Sequence, residues 1–93
     1  MPRRTNINFM MRYVKEYLDG KKKRWEFDVD FDYQLMNRWD AMCDEDSEYA
    51  QVFNDWIAED GVDAGRQLPD DEYMELIGQQ YDEVKSIVAS GFY

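Results

Sequence analysis

The chain has 93 residues, a formal net charge of −10, no histidine and a single cysteine. That length makes one domain, 1–93, which buries only about 60–68% of its unfolded surface and so depends on large side chains. Without histidine the chain lacks the commonest general base, the usual metal ligand and the switch that titrates near neutrality, so composition argues against an enzyme.

Three Trp, seven Tyr, five Phe and six Met supply the bulk for a core, and an aromatic content of 16% is foreign to disordered chains. The mean hydropathy of −0.82 reflects surface charge. No apolar run is long enough to span a bilayer, and residues 1–4 lead straight into an amphipathic segment, so neither a membrane span nor a signal peptide is expected. Lone Cys43 excludes an internal disulfide and fits a reducing, cytoplasmic setting as a small core residue.

Charge is unevenly placed. Residues 1–24 carry a net charge of +6 and residues 25–93 a net of −16. A block so one-sided costs self-repulsion in the folded state, and it points to a basic partner that offsets it.

Residues 1–5 read as a flexible basic tail. Ile7, Met10, Met11, Val14, Tyr17 and Leu18 then fall on one helical face, with Asn6 as N-cap and Gly20 past the C-terminus, which predicts a helix over 7–19. The basic run Lys21, Lys22, Lys23, Arg24 reads as a solvated loop. Residues 25–32, Trp-Glu-Phe-Asp-Val-Asp-Phe-Asp, alternate apolar and acidic residues with period two, the pattern of a half-buried strand. No second alternating segment exists to pair with it. Three resolutions stay open: an extended connector whose aromatics cap the core, a strand that adds to another chain, or a helix that begins early, near Asp30. The expectation taken forward is an extended, β-like segment at 25–32 that leads into a helix.

Phe31, Leu35, Trp39 and Met42 give the next helix, 31–43, with Asp30 as its cap. Ser47 caps a third, 47–59, with Tyr49, Val52, Phe53, Trp56 and Ile57 inward and Gly61 beyond its end. After an Asp- and Gly-rich loop, Pro69 and Asp70-Asp71-Glu72 open the longest helix, 70–89, whose stripe is Tyr73, Leu76, Ile77, Tyr81, Val84, Ile87 and Val88. The predicted fold is all-α, a small irregular four-helix bundle.

Asp28, Asp30 and Asp32 match positions 1, 3 and 5 of a calcium loop. That loop needs Gly at position 6 and a bidentate Glu at 12, where this chain has Tyr33 and Trp39. No metal, cofactor or catalytic residue is therefore assigned. Asp46-Ser47-Glu48 before a helix resembles the acyl carrier proteins, which bear their prosthetic group on a Ser in an Asp-Ser-Leu setting. Glu48 stands where that family has Leu, and Ser47 reads as an N-cap.

Carboxylates recur at Glu26, Asp28, Asp30, Asp32, Asp44, Glu45, Asp46, Glu48, Asp55, Glu59 and Asp60. If 25–32 is extended, its four acids line one side at ~6.6–6.8 Å intervals, loosely the spacing of phosphates along a nucleic-acid strand. Acidic residues repel phosphate, so direct DNA binding by residues 25–93 is not expected. In size, single domain, acidic aromatic-rich helices and lack of a catalytic set, the chain resembles the small inhibitors made by phages and mobile elements, the anti-CRISPR and anti-restriction proteins that imitate nucleic acid. The resemblance implies a non-enzymatic inhibitor in the host cytoplasm that occupies the basic nucleic-acid channel of a defence nuclease. These carboxylates would pair with channel Arg and Lys, and Trp25 or Phe27 would anchor the contact. The alternative is a small intracellular adaptor or regulatory subunit that binds a protein partner through apolar helix faces, and a third reading, ranked below both, is an enzyme that works through paired carboxylates. Composition does not set the oligomeric state.

Overall fold

The computed structural model describes residues 4–91. It is all-α, as expected, with no strand among the described residues. The helices are α1 (Thr5–Leu18), α2 (Arg24–Glu45), α3 (Ser47–Val52) and α4 (Asp70–Ala89), with a π-helical segment, Phe53–Asp63, running on from α3. The chain divides into two compact units, Met1–Ala50 and Gln51–Tyr93.

In the first unit α1 and α2 form an antiparallel hairpin. Of the expected face of α1, Ile7, Met10, Met11, Val14 and Tyr17 are buried and Leu18 is half-buried; Tyr13, not expected there, is buried with them. α2 answers with Phe27, Phe31 and Met42. Tyr17 stacks on Phe27 at 4.5 Å between centroids, and Tyr13 on Phe27 at 5.6 Å. Gly20, just past α1, has φ +81°, the left-handed conformation that lets the chain turn at once.

Two expectations are corrected here. Residues 25–32 are not extended: α2 begins at Arg24 and runs unbroken through them. A lone strand leaves its backbone N–H and C=O groups unpaired, whereas a helix satisfies them within itself. Nor do residues 4 and 5 belong to a tail. Arg4 Nη2 lies 2.7 Å from the Asp46 carboxylate and Thr5 opens α1; residues 1–3 of the expected tail lie outside the described residues.

The caps also differ from expectation. The N-terminus of α1 is closed by the last residue of α2: the Asn6 and Ile7 N–H groups donate to the Glu45 carboxylate at 2.9–3.0 Å, and Asn6 Nδ2 donates to it at 2.7 Å. Asn6 Oδ1 instead accepts from Arg38 at 2.7 Å. At α3 the Tyr49 N–H donates to Asp46, not to Ser47.

In the second unit the π-helical segment packs antiparallel on α4. Its buried residues are Phe53, Ile57, Ala58, Gly61 and Val62, set against Tyr73, Ile77, Tyr81 and Val84. An α-helix over 47–59 was expected to face Trp56 inward. The wider turn carries the segment on to Asp63 and leaves Trp56 half-buried. Gly61 lies within this segment, where a Cβ would stand 3.1 Å from Ile77 Cδ1. At Gly65 a Cβ would come within 2.9 Å of both the Gly61 carbonyl oxygen and Tyr73 Cδ1, so a bare backbone is needed there. α4 matches its expected bounds, with Pro69 before it and Asp70, Asp71 and Glu72 in the first turn, where carboxylates suit the helix dipole.

Candidate functional site

The longest helix is also the least covered. Trp25, Val29, Tyr33 and Met36 are 66%, 75%, 58% and 71% exposed, while Phe27 and Phe31 are fully buried. The two sets follow from one helical period: 27 and 31 stack on the side facing α1, and 25, 29, 33 and 36 stack opposite. Four large apolar side chains thus make a ridge ~16 Å long, from 1.5 Å rise per residue.

The same period breaks up the acidic row expected of an extended segment. Asp28 and Asp32 fall on one flank of the ridge and Glu26 and Asp30 on the other, so the carboxylates border the apolar strip. Several hold the fold together. Asp30 accepts from the Tyr13 hydroxyl at 3.1 Å and from Gln34 Nε2 at 3.2 Å. Asp28 lies 3.6 Å from Arg24, one turn earlier, and Glu26 accepts the Lys23 N–H that precedes α2.

The remaining predicted contact residues sort in the same way. Glu45 and Asp46 cap helices, and Asp55 accepts from Gln51 at 2.8 Å. Burial alone would raise the Glu45 carboxyl, but the Ile7 and Asn6 hydrogen bonds and the Arg38 charge hold it below the usual carboxylate range. Asp32, Asp44, Glu48, Glu59 and Asp60 are exposed. Phe27 is removed as an anchor, because it is 0% exposed. Val29, Tyr33 and Met36 were not predicted. Their signal was the four-residue spacing from Trp25, which the period-two pattern concealed.

Most of the net negative charge lies in the second unit. Residues 51–93 hold ten acidic against two basic groups, whereas residues 1–50 hold eleven against nine. On α4 the acids Asp71, Glu72, Glu75, Asp82 and Glu83 are all exposed.

Between α1 and α2, at the Trp25 end of the ridge, an open pocket of about 310 Å³ is lined by Tyr13, Lys22, Trp25, Glu26, Val29 and Asp30. Lys22 Nζ stands 4.9 Å from the Tyr13 ring centroid and 3.3 Å from the Glu16 carboxylate. Elsewhere, half-buried Cys43 has its thiol pushed up by burial and by Asp40 and Asp44, away from the reactive thiolate form. Among the described residues no group of three Cys, Asp or Glu is placed to hold a metal ion, and no helix is long and apolar enough to cross a membrane.

Comparison of the chain with protein-family models, with curated proteins and with solved structures finds no match in any of the three.

Proposed function

We propose that this chain is a non-enzymatic binding protein that docks on a basic protein surface through α2. The observation that carries the reading is the ridge of Trp25, Val29, Tyr33 and Met36 with carboxylates along both flanks. Exposed apolar strips rimmed by polar groups mark protein contacts. Amphipathic helices dock through anchors spaced three and four residues apart. Burying one such side chain is worth ~1.5–3 kcal/mol, so a ridge of four dominates binding while the acids supply steering and register.

Capture of a partner from a cell lysate, repeated with Val29→Asp and Met36→Asp, tests this. Both positions face solvent in the free chain, so the variants should fold normally and lose the partner. Capture by both variants at wild-type yield would sink the ridge.

A second reading has its own observation. The exposed acids of α4, in a segment with ten acidic and two basic groups, favour the nucleic-acid mimicry that the anti-CRISPR and anti-restriction resemblance implies, with a nuclease channel as partner. Binding by that route should fall steeply between 0.1 and 0.5 M salt, compete with added DNA or RNA, and weaken on joint reversal of Glu75, Asp82 and Glu83. A partner held at high salt and indifferent to nucleic acid belongs to the ridge alone.

A further inference from the structure

The pocket beside Trp25 has the chemistry of a cation receptor. Tyr13 and Trp25 supply aromatic walls, Val29 an apolar one, and Glu26 and Asp30 two carboxylates. A carboxylate offers about four acceptor positions; Tyr13 and Gln34 both donate to Asp30 Oδ2, so acceptor capacity remains. The chain already places a cation here, since the Lys22 ammonium lies over the Tyr13 ring and beside Glu16. Its one positive charge faces three carboxylates: Glu16, Glu26 and Asp30.

We infer that this pocket receives an arginine side chain from the basic partner, and that Lys22 is a resident cation which the incoming guanidinium displaces.

Three features favour arginine. Its planar head stacks on aromatic rings and pairs with carboxylates in a fixed fork. Its three-carbon stem lies well against Val29 and the indole of Trp25. The pocket is also continuous with the ridge, sharing Trp25 and Val29, so a partner helix laid along α2 would bring a basic residue to this end. The Tyr13 hydroxyl reports the same field: burial first, then the charges of Asp30, Glu26 and Glu16, make it harder to ionise. Lys22 projects from the loop between α1 and α2, so its side chain can swing away without unfolding either helix.

The inference rests on the ridge reading for its partner but is tested without one. N-acetyl-arginine amide and its neutral isostere N-acetyl-citrulline amide are titrated into the full chain and followed by two-dimensional NMR. The arginine derivative should shift the Trp25 indole N–H and the Val29 and Asp30 amides, with the citrulline derivative at least about three-fold weaker. Lys22→Ala should tighten arginine binding by about two- to five-fold, the size of one exposed cation–π contact. Glu26→Gln should weaken it by a similar factor. Because Lys22→Ala predicts a gain, misfolding cannot imitate it. Equal response to both ligands, shifts spread evenly over Glu59, Asp60 and Asp82, or no gain from Lys22→Ala would each overturn the inference. If instead arginine binds as described while the Val29→Asp and Met36→Asp variants still capture a partner, the ridge fails and the pocket stands.

Discussion

Glu45 joins two helix ends, and its removal is the most informative single change in the first unit. Its carboxylate accepts four hydrogen bonds, from the Asn6 and Ile7 backbones and from Asn6 Nδ2, at 2.7–3.0 Å. Glu45→Ala strands two N–H groups of the first turn of α1 in a part-buried position. Loss of an N-cap costs ~1 kcal/mol, and a hydrogen bond to a charged group is worth ~1.5–3 kcal/mol. Because the bonds share one acceptor and water can reach the site, about 2 kcal/mol is the expected total. Glu45→Gln keeps an acceptor oxygen and should cost about half as much, ~1 kcal/mol. In a chain of this size each kcal/mol lowers Tm by about 4–8 °C.

Urea unfolding followed by circular dichroism at several pH values measures both variants. The carboxyl of Glu45 is held below its ordinary value of 4.5 in the folded chain. The unfolded state therefore binds the proton more readily, and the stabilisation is full above pH 4.5 and fades as pH falls through the lowered folded value. The gap between wild type and Glu45→Gln should accordingly close in acid. A loss below about 0.5 kcal/mol for Glu45→Ala, or a gap unchanged between pH 7 and pH 3, would refute the capping account.

Phe27→Ala should cost ~3–5 kcal/mol by denaturant unfolding, as expected for a buried ring, whereas Trp25→Ala should stay within ~0.5 kcal/mol and lose partner capture instead; equal destabilisation by the two would mean that the faces of α2 are misassigned. Gly65→Ala should cost ~1–3 kcal/mol, since its methyl meets the Gly61 carbonyl and the Tyr73 ring at 2.9 Å, and a neutral result would show that the π-helical segment yields. Gln80 Oε1 is buried without a hydrogen-bond partner, so Gln80→Met, similar in shape, should raise the unfolding free energy by ~1 kcal/mol; a drop would show that the amide has a partner in solution.

The candidate site was less legible than the fold. Trp25 was found, because a large aromatic beside carboxylates stands out in any register. Glu26, Asp28 and Asp30 were also named, but as a row for a partner to read, and in the structure they border the ridge while bonding within their own unit. Phe27 was assigned to the partner and belongs to the core. The error has one source: in 25–32 the apolar residues sit at every second position, so they suit one face of a strand or, divided between 25/29 and 27/31, two faces of a helix. Nothing local chooses between these. Glu45 carried no signal of its capping role, since the N–H groups that it caps lie 38–39 residues away in sequence; Asp46 caps the Tyr49 N–H three residues on, but adjacent Ser47 offered the same signal.

The sequence by itself determined the all-α class, the inward face of α1 and the full extent of α4. Each is written in a repeat of 3.6 residues and in terminal signals such as Gly20, Pro69 and the acids after it, which act within a few residues of themselves. Only the tertiary structure decided which side of α2 is dry. Tyr13 and Tyr17 of α1 take Phe27 and Phe31 as their packing partners, and that choice leaves Trp25, Val29, Tyr33 and Met36 to the solvent. A helix has one inner side against a single neighbour, so a segment apolar on two faces must expose one, and the exposed face of α2 is the surface through which we propose it binds.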